Sequence, residues 1–301
     1  MDAQNRYRGA LLGLAAGDAV GTTLEFKERG SFEPLTDMVG GGPFDLEPGQ
    51  WTDDTSMALC LAESLIRCQD FDARDQMNRY ANWYQHGYWS STGSCFDIGM
   101  ATRGAIHNYL VTGEPLAGNT DPNSAGNGSI MRLAPVVLRY AGRPELPAMA
   151  VLSSRTTHAA AECLDACRLL AEALDRALAG CDKAEVLDLA DIEVASQRLR
   201  DIAAGGYRSA NRDQVHGTGY VVDSLEAALW CFHQHDTFAG AVLEAANLGD
   251  DADTTAAVVG QLAGAFYGVA GIPAAWLARL HRGDEIAVLA DSLLQRNLAE
   301  T

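Results

Sequence analysis

The chain has no CxxC pair, no two histidines spaced as metal ligands on a helix face, and no apolar run long enough to cross a bilayer. Each absence closes a class of function. A histidine-based zinc site is not encoded, and no membrane partner is expected. Seven cysteines, at positions 60, 68, 95, 163, 167, 181 and 231, follow no regular spacing; with no disulfide framework, the odd count fits a reducing cytoplasm. Cys163 and Cys167 share one helix face, where small thiols are ordinarily buried. Positive charge is also scarce. Lys and Arg number 22 against 40 Asp and Glu, and the net charge of −18 argues against a nucleic-acid partner. A small anionic ligand held by backbone N–H groups and a bound metal stays compatible with that charge. Ala10-Leu11-Leu12-Gly13-Leu14-Ala15-Ala16 has the length of a signal-peptide core, but Asp18 cuts it short and Gly13, Gly17 and Gly21 recur every fourth residue. A buried helix is the better reading. A cytoplasmic monomer is expected.

Helical periodicity dominates what is present. The glycine stripe at 13, 17 and 21 offers a flat face for close helix packing, and Gly260/Gly264 repeat it. Apolar spacing predicts helices over 55–67, 162–178, 224–234, 238–246 and 253–267. Two-residue alternation is never sustained, so the expected class is all-α. Residues 39–50, 89–99, 117–129 and 204–220 are glycine-rich and read as loops lining a cleft, the third running into a helix near Met131. No linker or composition break divides the chain, and one domain over 1–301 is expected.

Two acidic clusters carry the chemistry. Trp51-Thr52-Asp53-Asp54-Thr55 and Gly249-Asp250-Asp251-Ala252-Asp253-Thr254-Thr255 each pair carboxylates with threonine hydroxyls ahead of a small-residue helix. Either could be a helix cap, since Thr and Asp favour that position and acids suit a first turn. Capping does not require adjacent aspartates, which repel unless a cation neutralises them. Hard oxygen donors without His or Cys suit Mg²⁺ or Mn²⁺, and two converging clusters would hold two ions for hydrolysis or group transfer. Other residues are ambiguous taken singly. Gly126-Asn127-Gly128-Ser129 offers N–H groups for a diphosphate at a helix start, or is a tight turn. Thr157-His158 reads as a site or as a cap with a core histidine. Asp97 contacts substrate or closes an Asx-turn. Glu25 is catalytic or an ordinary exposed acid, and Tyr220 stacks on a flat ring or merely packs.

Taken in order, Leu12-Gly13-Leu14-Ala15-Ala16-Gly17-Asp18-Ala19, Thr52-Asp53-Asp54-Thr55, Gly126-Asn127-Gly128-Ser129-Ile130-Met131-Arg132, Thr157-His158 and Gly249-Asp250-Asp251-Ala252-Asp253-Thr254 resemble the ADP-ribosylglycohydrolase family. The likeness is strongest to its dinitrogenase-reductase-activating glycohydrolase branch and runs over about residues 7–280. It implies a compact all-α domain with a dinuclear Mg²⁺ or Mn²⁺ cleft, ligated by Thr52, Asp53 and Asp54 on one side and by Asp251, Asp253 and Thr254 on the other, with Asp250 outside. It implies that Gly126, Asn127, Gly128, Ser129 and His158 hold the diphosphate and ribose, with Tyr220 against the adenine. Asp97 matches a substrate-contacting aspartate, and Glu25 a glutamate beside the metals that gates or handles protons.

The implied activity is metal-dependent removal of mono-ADP-ribose from a modified protein, by cleavage of the N-glycosidic bond to arginine. A serine linkage, an acyl ester or a small ADP-ribosyl metabolite are alternative substrates, and a non-catalytic ADP-ribose-binding protein is a rival. Two departures bear on this. Met100 stands where the branch carries Asn, and Asp250 where many relatives carry glycine. An all-α isoprenoid-type synthase is the other rival, but it needs a longer acidic spacing and basic residues near both clusters, which the chain lacks.

Overall fold

A computed structural model describes residues 1–299, so the last two residues of the expected 1–301 domain lie outside the described residues. The chain folds into α1 (Ala3–Gly21), α2 (Asp53–Cys68), α3 (Ala73–His86), α4 (Met100–Thr112), α5 (Ala134–Tyr140), α6 (Leu146–Arg155), α7 (Ala161–Ala179), α8 (Lys183–Val186), α9 (Gln197–Ala203), α10 (Val221–Gln234), α11 (Phe238–Ala246), α12 (Ala252–Tyr267), α13 (Ala274–Arg279) and α14 (Gly283–Leu298). Short 3₁₀ turns join some of them, and β-pairing among the described residues is limited to isolated bridges. The all-α class follows.

The architecture grows from the glycine stripe. Gly9, Gly13, Gly17 and Gly21 of α1 face Gly264, Gly260, Ala256 and Ala252 of α12 in antiparallel register. A Cβ added at Gly17 would stand 2.1 Å from the Ala256 carbonyl oxygen, and one at Gly264 would stand 1.9 Å from that of Gly9. The two backbones therefore touch directly, which only hydrogen at these positions permits. α10, α11 and α7 pack on α12, while α14 and α2 close over α1. Trp51, Met57, Tyr80, Trp83, Phe232 and Phe238 fill the core around this pair. Antiparallel register brings the C-terminal end of α1, with Asp18 and Thr22, beside the N-terminal end of α12, with Asp251 to Thr254.

Helix limits match the periodicity within a few residues, and α11 matches it at both ends. α2 starts at Asp53 because its acidic pair occupies the first turn. The helix expected near Met131 begins three residues later: residues 127–132 form a tight turn and α5 starts at Ala134. Pro135 sets that start, since proline fits a first helical turn. The turn is held from outside by Gln261, which accepts from Ala134 N at 2.8 Å and donates to the Ile130 carbonyl at 2.9 Å.

Gly17→Ala should therefore lower stability by about 1–3 kcal/mol or more, because backbone, not a flexible side chain, must give way. Gly104→Ala, in α4 with nothing within 4 Å of the added methyl, should instead gain about 0.5–1 kcal/mol. Urea midpoints of the two variants compare them directly. Equal midpoints would mean that α1 and α12 are not in backbone contact.

Candidate active site

Asp18 is the pivot of the site. Fully buried in α1, it accepts from Thr52 N at 2.9 Å and Thr52 Oγ1 at 3.0 Å through Oδ1. Its Oδ2 accepts from Thr55 N at 3.0 Å and Thr55 Oγ1 at 2.6 Å. This carboxylate takes the place of a side-chain cap for α2 and fixes the first acidic cluster against α12. Burial pushes its pKa up to about 6, against the pull of those hydrogen bonds.

The two clusters meet around Thr52. Its hydroxyl lies 3.0 Å from Asp18 Oδ1, 3.0 Å from Asp54 Oδ2 and 3.1 Å from Asp253 Oδ2. One hydroxyl supplies one proton, so at most one of these three carboxylates is satisfied by it. Asp54 Oδ1, Asp253 Oδ1 and Glu25 Oε2 are buried with no hydrogen-bond partner. Asp18, Asp54 and Asp253 present oxygens within 4.8 Å of one another, as do Glu25, Asp97 and Asp253. Burial, then repulsion from the neighbouring carboxylates, raises Asp53, Asp54 and Asp253 far above the usual range and Asp97 to about 9. Glu25 is raised by burial first, then by Asp253 and Asp97. Orphaned carboxylate oxygens at this density, with no ammonium or guanidinium among them, fit hard divalent cations.

Above the clusters opens a cleft of ≈ 1350 Å³, lined by seven acidic residues (Glu25, Asp53, Asp97, Glu162, Asp250, Asp251 and Asp253) and by no Lys or Arg. Two loops are zipped along one wall. Asn127 N donates to the Gly219 carbonyl at 3.1 Å and Val221 N to that of Ala125 at 3.0 Å. The Asn127 amide donates to Asp251 Oδ2 at 2.6 Å, joining this wall to the second cluster. His158 lies beneath Gly128, where a Cβ would stand 2.6 Å from its Cε1. Burial, with the Arg132 cation behind it, lowers the His158 pKa to about 3, so the imidazole is neutral. Tyr220 donates to Glu162, and the Arg198 guanidinium covers its ring at 5.5 Å.

Glu25, Asp53, Asp97, Gly126, Asn127, Gly128, His158, Tyr220, Asp251, Asp253 and Thr254 all line the cleft. Glu25 is buried, so the reading of it as an ordinary exposed acid is corrected. Thr52 and Asp54 lie fully buried beneath the cleft floor. Ser129 is absent from the lining: its hydroxyl turns toward Cys167, whose thiol donates to it at 3.5 Å. No residue of 39–50 lines the cleft; Phe44 packs edge-on against Phe26, which does. Asp250 is exposed with φ 54, a left-handed conformation that glycine adopts freely and Asp tolerates. Met100 is 83% exposed on the rim.

Sequence reasoning missed Asp18, Arg132 and Glu162. For Asp18 a signal existed, namely one acid inside a helix otherwise small and apolar enough to be fully buried. For Glu162 there was none, since it looks like any first-turn acid.

Comparison with known proteins is decisive at this point. The ADP-ribosylglycohydrolase family model matches residues 1–300. The chain belongs to the ADP-ribosylglycohydrolase family. It is 50% identical over 299 residues to the ADP-ribosylarginine hydrolase Tri1 of Pseudomonas putida, covering 98% of this chain and 79% of that protein. The Rhodospirillum rubrum ADP-ribosyl-[dinitrogen reductase] glycohydrolase is 34% identical, over 92% of this chain and 90% of its own length. A solved structure of an ADP-ribosylglycohydrolase-related protein complex superposes with a TM-score of 0.87 at 45% identity, covering 98% of this chain and 99% of its own.

The raised carboxyl pKa values set a pH dependence for the metal-free protein. Between about pH 7.5, above unfolded histidine, and about pH 8, below unfolded cysteine, the folded state binds more protons than the unfolded one, so stability falls as pH rises. The melting temperature of the EDTA-treated protein should drop across that span. The increment given by Mg²⁺ or Mn²⁺ should grow, because cations displace those protons. An increment independent of pH would show that the carboxyls are not the cation ligands.

Proposed function

We propose that this protein is a metal-dependent hydrolase that removes mono-ADP-ribose from a modified protein by cleaving its N-glycosidic bond to arginine. The observation that carries the reading is the convergence of both acidic clusters under a cleft without a basic side chain, which suits a cationic guanidine leaving group. The names borne by the relatives support arginine as the linkage.

In this reading Thr52, Asp53 and Asp54 from α2, with Asp251, Asp253 and Thr254 from α12, hold two divalent cations, Mg²⁺ or Mn²⁺. When bound, such cations supply Lewis acidity and lower the pKa of a coordinated water. The loop Gly126–Gly128 and His158 bind the diphosphate and ribose, and Tyr220, pinned by Glu162 and Arg198, faces the adenine. Ser129 shapes that loop from behind. Asp97 sits half-buried at φ 58, the left-handed conformation that Asp tolerates, and orients the guanidine. Glu25, in a site that favours its protonated form, hands a proton to the departing nitrogen. Met100 leaves the rim near Asp97 without an amide, so Asp97 carries the guanidine contact that the pair would share. A cytoplasmic monomer acting on a protein target completes the proposal.

The test is release of free ADP-ribose from an arginine-ADP-ribosylated protein, with Mg²⁺ or Mn²⁺ against EDTA. Release should require the cation. Asp53→Asn should cost more at low cation concentration than the ~10–100-fold typical of groups that only support ligands. Cation-independent release, or full activity in Asp53→Asn, would overturn the ligand assignment. Absence of release from arginine alone would move the linkage to serine or an ester.

A further inference from the structure

Arg132 is 1% exposed, and no carboxylate pairs with it among the described residues. Its guanidinium donates to the Gly128 carbonyl and, at 2.5 Å, to Thr157 Oγ1, and it lies 5.0 Å from the Tyr80 ring centroid. A buried cation without a counter-ion is costly. This one stands directly behind the wall formed by Gly128 and His158.

Counting protons along the chain fixes what His158 presents. A guanidinium only donates, so Thr157 Oγ1 accepts from Arg132. The Thr157 hydroxyl is fully buried and its other contact is His158 Nδ1 at 2.8 Å. Were Nδ1 protonated, the threonine proton would have no acceptor, and an unmade buried hydrogen bond is expensive. Thr157 therefore donates to Nδ1, and the imidazole proton resides on Nε2. Nε2 forms no hydrogen bond within the described residues. It lies against the cleft glycines, 3.0 Å from where a Cβ on Gly128 would be and 3.4 Å from one on Gly126.

We propose that Arg132 and Thr157 are positioning residues that lock His158 as a neutral Nε2–H donor aimed into the cleft, and that the acceptor is an anionic phosphoryl oxygen of the ligand. This rests on the functional reading above. It answers how a cleft lined by acids and no Lys or Arg takes an anion. The donor is uncharged, so it does not bind the neighbouring carboxylates as a salt bridge, while the Arg132 charge lies behind the wall where the ligand's phosphate serves as its distant counter-ion. Glycine at 126 and 128 keeps Nε2 uncovered.

Nitrogen-15 spectra of histidine-labelled protein test the tautomer without any turnover, with His158 assigned by its loss in His158→Phe. The expected result is a pyridine-type Nδ1 and a pyrrole-type Nε2; a protonated Nδ1 overturns the proposal whether or not the Thr157 variants fold. Calorimetric titration with ADP-ribose tests the consequence. Thr157→Val should bind about tenfold more weakly and shift His158 toward Nδ1–H, while Thr157→Ser should restore both. Native affinity in Thr157→Val overturns the positioning role. Native protein with Nε2–H that binds no ADP-ribose overturns the ligand class and the functional reading, while supporting the lock itself.

Discussion

The backbone contact between α1 and α12 is the constraint on which the rest depends. Buried carboxylates repel, and a scaffold able to relax would let them drift apart. Here the two helices that carry Asp18 and Asp253 approach through glycine and alanine, with no side chain between them that could rearrange. Dispersion between the touching backbones, summed over four helical turns, replaces what bulky residues supply elsewhere. Close helix approach of this kind also favours weak Cα–H···O contacts. Asp18 follows Gly17 directly, so the stripe that permits the approach also turns the carboxylate toward α2, where Thr52 and Thr55 hold it.

Electrostatics then divides the labour. Asp18 is satisfied by Thr52 N and by the N–H and hydroxyl of Thr55, whereas Asp54, Asp253 and Glu25 each keep an oxygen without a donor. The satisfied carboxylate is structural, and in the proposed reading the unsatisfied ones hold the cations. A protein that leaves such groups unpaired trades stability for a binding site, and the loss is recovered when the ligand arrives. The same logic governs the opposite wall of the cleft, where Arg132 is buried without a carboxylate. Negative charge lacking a cation and positive charge lacking an anion face one cavity. A ligand that joins bound metal to phosphate satisfies both.

Much of this was legible in the sequence wherever function sits in a contiguous stretch. The acidic clusters announce themselves because adjacent aspartates are unfavourable without a reason, and the glycine stripe because four-residue spacing has one structural meaning. What was not legible depends on partners distant in the chain. Asp18 needs Thr52 and Thr55, Tyr220 needs Glu162, and His158 gets its tautomer from Arg132 through Thr157; no local pattern encodes these meetings. The helix after the loop at 126–129 starts a few residues late for a definite reason. Glycine signals a turn and a helix does follow, but Pro135 delays its start and Gln261, on another helix, holds the intervening backbone. Ser129 was included as part of a motif, and the fold turns its hydroxyl away.

The split between helix ends and loops bears on substrate choice. In the proposed reaction, the groups that hold the cations sit at the first turns of α2 and α12, which the glycine contact holds in place. The groups near the leaving guanidine sit on strained or exposed backbone. Phe26, beside Glu25, has φ 61, and Met100 opens α4 with most of its surface in solvent. Strain of this kind persists only where surrounding structure enforces it, and it clusters at sites where orientation matters. Exposed loop positions can change without disturbing the core. A departure such as Met100 therefore costs the fold almost nothing, while it alters what the rim offers to the attached group. In this reading the cation-binding floor is constrained by packing and the linkage-reading rim is not, so chains sharing this scaffold can differ in linkage while keeping the same acidic floor.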